Sequence, residues 1–354
     1  MRLQPQDLDQ VLSSGLMAPS ADNKHHLRFA VGADDVALLS TDQPAWLAQP
    51  HRQCLALLSC GAVLENMALR SEALGYTMQA ELLPDRARPA LMAQLRWRLS
   101  NAPPDPLYLA IEGRHTNRRF FSRAAVPAPA LARVTAAAQG VPGAGLLWLA
   151  DPRRRAQALK ALRLAETHRF QRRGLHDELF GAIQFQRGWR RSAVEGLPPG
   201  ALEVEPPLRP VFTLLRHWPL MQALNRLGGA YVMGLRAGYL PCALAPHLGL
   251  VRADQRLGDA GWLQAGRVLE RIWLAAAAEG LALQPMAAAP ALVQQQPSAH
   301  WVSATVQARL QHLLSGLSDE PGMQACLFFR LGLAPAPSVV TERPPLASFM
   351  AASP

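Results

Sequence analysis

The sequence predicts an α+β chain built as two duplicated halves, and three observations carry that reading. First, a long helix ending in glycine and followed by an extended segment occurs twice, at Gly61–Gly75 and again at Gly266–Gly280, a constant offset of 205. From Gly61 to Gln79, eight of nineteen positions match Gly266 to Gln284, where roughly two would match by chance. Two unrelated Ala/Leu-rich helices are the alternative, and the matching glycines, glutamates and glutamines favour duplication. Second, helical spacing alternates with short β-type runs along the chain. Third, 354 residues that are 49% hydrophobic can bury a large core and form two domains.

Taken in order, Leu8, Val11, Leu12 and Leu16 share one helical face, so a helix covers 6–17 and stops at the turn-forming cluster Pro19, Ser20, Asp22 and Asn23. Leu27–Val31 and Val36–Ser40 read as short strands around a hairpin-like loop at Gly32–Asp35. A long helix follows from Arg52 to Leu74, with Gly75 at its C-terminal position, then a strand from Tyr76 to Leu83. The proline-rich residues 101–106 form the linker that divides a first half, 1–106, from a second, 107–354. There, Pro129–Gln139 is a helix, Gly145–Ala150 a strand and Arg153–Arg173 a basic helix. Residues 174–210 show weak periodicity and read as an irregular excursion, a lid over a site. Helices resume at His217–Leu227 and Trp262–Glu279, Cys326–Leu331 is a buried strand, and Ala334–Pro345 is extended.

The formal charge is +10, and Lys24 and Lys160 are the only lysines beside many arginines. Such usage reflects compositional bias more than a nucleic-acid surface, and no interleaved aromatic and basic platform is present, so no nucleic-acid partner is expected. A basic chain does suit an anionic ligand, phosphate above all. Cys54, Cys60, Cys242 and Cys326 lie scattered and read as buried, reduced thiols. Acids and glutamines occupy residues 1–10, where a signal peptide would carry an apolar run, and the most apolar stretch, Ile272–Ala278, is too short to span a bilayer. The expectation is a cytoplasmic protein with no membrane partner.

Arg114 to Phe121 sets three arginines, a histidine and a threonine ahead of two aromatics. Guanidinium forks donate paired hydrogen bonds to phosphate oxygens, and hydroxyl or imidazole donors fill the remaining positions. Alone, the same stretch also reads as a solvated basic turn. No His-Glu-x-x-His, Walker loop or Gly-x-Ser-x-Gly elbow is present. His25 and His26 are adjacent, so their side chains diverge, and no metal site is expected. Three pieces converge instead: Arg114–Arg118 as a phosphate clamp, Pro19–Asn23 with hydroxyl and amide donors, and Gly280–Met286 with apolar side chains and backbone N–H groups. That set suits a flat apolar ring carrying a phosphate tail, as in flavin mononucleotide (FMN).

The arrangement resembles the nitroreductase family of FMN-dependent oxidoreductases, whose Arg-[Arg/His]-[Ser/Thr]-x-[Arg/Lys]-x-Phe motif falls on Arg114–Phe120. The resemblance implies a nitroreductase-like fold in which each half carries a mixed sheet flanked by helices. It assigns phosphate and ribityl contacts to Arg114, His115, Thr116 and Arg118. The family's Ala-Pro-Ser-x-x-Asn motif falls on Ala18–Asn23, bringing in Pro19, Ser20 and Asn23. Gln284, Pro285, Met286 and Ala287 match the segment whose backbone amide faces flavin N5, and Arg343 matches a C-terminal basic residue near the phosphate. The order of the motifs is similar to the Acg-type branch, which fuses two halves into one pseudo-dimer; a monomer is then expected. Val141–Ala144 stands where a second Ala-Pro-Ser-x-x-Asn would lie, so one FMN per chain is expected. Ala287 replaces a common acidic residue, and Lys24–His26 replaces Gln-Pro-Trp, which alters the substrate pocket. The implied activity is hydride transfer from NAD(P)H through FMN to a nitroaromatic, quinone or similar small-molecule electron acceptor, with no protein catalytic residue. The alternative is an FMN-sequestering protein whose lid, 174–210, occludes the flavin. Arg187, Arg190 or Arg191 would supply charge to the flavin if the excursion folds inward, and a solvated loop otherwise.

Overall fold

The computed structural model describes residues 3–317 and 320–351, and its elements form two matching series. The first comprises α1 (Pro5–Leu16), β1 (Leu27–Val31), β2 (Val36–Ser40), α2 (Pro50–Ala73), β3 (Tyr76–Leu82) and β4 (Leu91–Leu99). After α3 (Ala128–Ala137) and β5 (Ala144–Trp148) comes a block of helices: α4 (Pro152–Gln171), α5 (Arg173–Gly181), α6 (Arg209–Leu214), α7 (Trp218–Arg226), α8 (Gly229–Gly234) and α9 (Leu240–Leu244). The second series then resumes with β6 (His247–Asp254), α10 (Asp259–Ala278), β7 (Ala282–Met286), α11 (Ala288–Gln294), α12 (Ala304–Ser315) and β8 (Met323–Gly332).

Both halves build a four-stranded sheet in the same order, β1-β2-β4-β3 and β5-β6-β8-β7. All six ladders are antiparallel. Of three isolated parallel bridges among the described residues, only that between Phe29 and Met350 adds a parallel pairing to a sheet strand, and there the Ala351 N–H donates to the Phe29 carbonyl at 2.8 Å. The halves differ in two connections, one of them between the last two strands, where residues 83–90 join β3 to β4 but α11 and α12 lie between β7 and β8. A short loop at Gly32–Asp35 joins β1 to β2, whereas the whole helical block joins β5 to β6. The excursion expected at 174–210 is therefore part of a larger, mostly helical insertion. Apart from α4 its helices are short, and α6, α7 and α9 each carry a proline in the first turn, Pro210, Pro219 and Pro241, which hides their periodicity from a window-length reading.

The sheets sandwich α2 and α10, which cross in direct backbone contact. A Cβ on Gly61 would lie closer than 3.0 Å to the Leu263 carbonyl, and one on Gly266 would meet the Leu58 carbonyl in the same way. Residues 58 and 263, like 61 and 266, differ by the repeat offset, so the contact is reciprocal, as a two-fold relation between copies requires. The helices carry a matching pair of buried glutamates. Glu65 accepts from Arg267 and Arg271, both at 2.8 Å, while Glu270 faces Arg114 at 3.1 Å. Although α2 is long and apolar enough to cross a membrane by composition, 72% of its apolar window is buried inside the protein. Leu12, Phe29 and Met67 from the first half and Trp262, Ile272 and Phe329 from the second share one continuous core. Behind the second sheet, α4, α11 and α12 close a further core around Leu162, Leu250, Leu310 and Phe328. All four cysteines are free and buried.

Because the α2–α10 crossing has no room for a side chain, Gly61→Ala is expected to destabilise the fold by on the order of 3 kcal/mol, the upper range for overpacking. Gly145→Ala, whose Cβ would meet nothing within 4 Å, serves as control and should change stability by less than about 0.5 kcal/mol. Thermal melts of both variants check this.

Candidate functional site

A cavity of about 1100 Å³ opens between the second sheet, α2 and the helical block. It is at the upper end of the size of small-molecule and cofactor sites. Eight of the residues singled out in the sequence line it: Pro19 and Ser20 from the α1–β1 turn, Thr116 and Arg118, and Gln284, Pro285, Met286 and Ala287 from β7 and its exit. The loop carrying Thr116 is tied to β7 by the Asn117 N–H, which donates to the Leu283 carbonyl at 3.1 Å. The Asn117 amide also donates to the Pro335 carbonyl at 2.8 Å. An edge strand accommodates Pro285, whose missing N–H would break a central ladder.

Arg118 donates one hydrogen bond, to the Ala201 carbonyl at 3.2 Å, and among the described residues makes no ion pair. Burial pushes its guanidinium below the ordinary value, against the pull of Asp22 and Glu203. The Ser20 hydroxyl is buried with no partner among the described residues. Asp22 lines the same wall, and burial raises its carboxyl above the ordinary range against the opposing charge of Arg169. A cation without an ion pair among the described residues, an unspent hydroxyl and Thr116 thus line the same largely apolar chamber. A guanidinium left without a paired carboxylate can take an anionic group.

Four expected contacts are not among the cavity-lining residues. Arg114 is buried and spent on the fold: its Nε lies 3.1 Å from Glu270, it donates to the Met17 carbonyl at 2.8 Å, and its guanidinium stacks 4.4 Å from the Trp273 ring centre. The carboxylate drew it inward, because Glu270 would otherwise be an isolated buried charge. His115 turns back onto the Gly113 carbonyl, with Nδ1 at 2.8 Å. Arg343 holds the end of α1, donating to the carbonyls of Leu16 at 2.9 Å and Ala18 at 3.3 Å and to Asn23 Oδ1 at 2.9 Å. The Asn23 amide donates to the carbonyls of Val194 and Gly196, both at 3.2 Å. Asn23 and Arg343 therefore pin the insertion to the α1 turn. Arg187, Arg190 and Arg191 are exposed and do not line the cavity.

Other site-forming groups carry no local sequence signal. Arg330 is fully buried on β8, donating to Gln284 Oε1 and to the Arg119 carbonyl, both at 2.7 Å, and lying 3.8 Å from the Phe121 ring centre. It fixes the Gln284 side chain. His51 on α2 lies with Nε2 3.1 Å from Glu178 on α5 and Nδ1 3.0 Å from Gln295, anchoring the insertion across the cavity. Burial tends to raise the Glu178 carboxyl, but the bond and charge of His51 hold it below the ordinary range. Burial, with Arg343 nearby, pushes His25 down to about 3, so its ring is neutral.

The chain matches no protein-family model and no curated protein. Among solved structures it is similar to an FMN-bound nitroreductase from Bacteroides fragilis, at 14% identity over 68% of this chain and 94% of that one, with a TM-score of 0.34. A second FMN-bound nitroreductase, from Desulfitobacterium hafniense, aligns at 11% identity over 66% and 90%, with a TM-score of 0.33. An iodotyrosine deiodinase bound to FMN and 3-iodo-L-tyrosine aligns at 14% identity over 67% and 94%, with a TM-score of 0.36. Likeness this loose leaves both fold and function resting on the geometry of this chain itself.

Burial pushes the Glu270 carboxyl up to about 7 against the pull of Arg114. The folded value lies above the ordinary 4.5, so the folded state holds the proton more tightly. The stability Glu270 contributes is full below that ordinary value and declines as pH rises from 4.5 through about 7. Glu270→Gln, which cannot ionise, is expected to flatten that decline when melting temperature is followed across the window. Parallel curves for the two proteins would show that Glu270 does not titrate there.

Proposed function

We propose that the chain is an FMN-binding oxidoreductase with one flavin per chain. One observation carries the proposal: Arg118, free of any ion pair among the described residues, and the unpartnered Ser20 hydroxyl both line a largely apolar cavity of about 1100 Å³. Arg118, Thr116 and Ser20 would hold the phosphate. Gln284, Pro285, Met286 and Ala287, with Trp273, would flank the ring. The flavin, when bound, supplies the redox chemistry by taking hydride from NAD(P)H and passing electrons to a nitroaromatic, quinone or similar acceptor.

The protein's part in this reading is binding, orientation and exclusion of water. Arg330 holds Gln284 in one orientation, Pro285 stiffens the edge of β7, and the apolar walls keep water out. The same proposal includes a division of the chain near residue 106, an internal pseudo-dimer similar to the Acg-type branch, a monomeric state and a cytoplasmic location, with no nucleic-acid partner. A specific observation favours a second reading, FMN sequestration with little turnover. The insertion that walls the cavity is tied down at two points, at Gly196 by Asn23 and at Glu178 by His51, so this part of it is held as a fixed cover.

Arg118→Ala removes the unpaired guanidinium and is expected to weaken FMN retention at least tenfold, the loss of one charge-assisted hydrogen bond of about 1.5–3 kcal/mol. Fluorescence titration of the apoprotein measures this. Unchanged affinity would remove the phosphate from this end of the cavity. Anaerobic addition of NADPH or NADH then separates the two readings: rapid bleaching of the flavin fits the oxidoreductase, and a flavin that stays oxidised fits sequestration.

A further inference from the structure

We propose that α6, α7 and α8 form a docking face for an anionic lipid surface, with the mouth of the cavity at its centre. Large exposed apolar residues gather in this part of the chain: Leu208, Val211, Leu214, Leu220, Leu227 and Val232, the last two 86% and 65% exposed. Leu208, Val211 and Leu214 recur at three-residue spacing along one side of α6. Four of the six, Leu208, Val211, Leu227 and Val232, are exposed and also line the cavity. Being both exposed and lining, they stand at its rim, and Leu214 and Leu220 lie on α6 and α7. Isolated exposed leucines need no explanation, but a contiguous apolar patch marks an interaction site.

Charge names the partner. Between Glu205 and Asp254 the chain contains no acidic residue, while Arg209, Arg216, Arg226 and Arg236 lie within or beside these helices. Arg216 and Arg226 are exposed and, among the described residues, make no ion pair. Glu205 pairs with Arg236 at 2.7 Å, Asp177 on α5 pairs with Arg173 at 3.3 Å, and Glu203 accepts from the Ser338 hydroxyl at 2.8 Å, which leaves Arg216 and Arg226 as the face's unopposed charges. Short helices with exposed leucines, unpaired arginines and no acid match a surface that beds into the headgroup region of an anionic bilayer. Tyr231, exposed on α8, adds an aromatic side chain suited to that depth. Such docking requires no spanning segment, so the absence of one, which led to the expectation of no membrane partner, does not bear on it. A cavity opening at this face would receive apolar molecules dissolved in the bilayer. The inference stands apart from the flavin, because vesicle binding is read without it.

Sedimentation of the full chain with vesicles of phosphatidylcholine alone, and with added phosphatidylglycerol, tests the proposal at low and high salt. The protein is expected to pellet with the anionic vesicles at low salt, to be released by high salt, and to ignore the neutral vesicles. Arg216→Gln with Arg226→Gln should weaken binding about 30-fold, at about fivefold for each charge near the surface. Leu227→Asn with Val232→Thr should weaken it more than tenfold with melting temperature unchanged, since both side chains are exposed. Failure to pellet with anionic vesicles, or variants that bind like the parent, would overturn the proposal. So would a dimer in sedimentation velocity that the Leu227/Val232 variant dissociates, because a second copy would then cover the face.

Discussion

Everything in this molecule is referred to the point where α2 and α10 touch backbone to backbone. Gly61 lies against the Leu263 carbonyl and Gly266 against the Leu58 carbonyl, so neither position tolerates a side chain. Two helices this close bring both sheets into one core, in which Phe29 and Phe329 belong to the same cluster. The crossing also carries Glu65 and Glu270 into the interior. Each is answered by arginine, the first by Arg267 and Arg271 and the second by Arg114 from the loop between the halves. The buried pairs select one registration of the halves, since sliding either helix would strand a carboxylate.

From that symmetric centre the halves diverge. Gln79 and Gln284 are repeat equivalents, and each lies opposite an arginine on the neighbouring strand, Arg96 and Arg330. In the first half that pair is exposed on a shallow surface; in the second, Arg330 is fully buried and holds Gln284 at the cavity. The difference is the insertion between β5 and β6, which covers one of two equivalent positions and leaves the other open to solvent. One duplicated fold thereby yields one enclosed site.

Much of the fold was legible because periodicity and punctuation agreed. The boundaries of β1 and β2 follow directly from alternation around Gly32–Asp35, and α2 and α10 from helical spacing closed by Gly75 and Gly280. Strands β4 and β6 went unread. β6 is buried on both faces, so its sequence lacks alternation. The stretch 174–210 reads as irregular and between α5 and α6 carries only short 3-10 turns, whereas α5, α6, α8 and α9, each of nine residues or fewer, are too short for their periodicity to show. In the site, the resemblance to the nitroreductase motifs pointed to the Thr116, Arg118 and Gln284–Ala287 segments, which line the cavity. It did not distinguish Arg118 from Arg114, since the difference lies in Glu270, far away in sequence and recognisable only as the repeat partner of Glu65. Asn23 and Arg343 have donors suited to a ligand, yet the chain spends them on its own carbonyls.

The central claim is that duplication has left a single anion-binding, flavin-sized site. Equilibrium titration of the apoprotein with FMN and with riboflavin, read as stoichiometry and affinity, tests it most directly. The account predicts one FMN per chain, with riboflavin binding at least tenfold more weakly because Arg118 meets no phosphate. Two FMN per chain, or equal affinity for riboflavin, would contradict it.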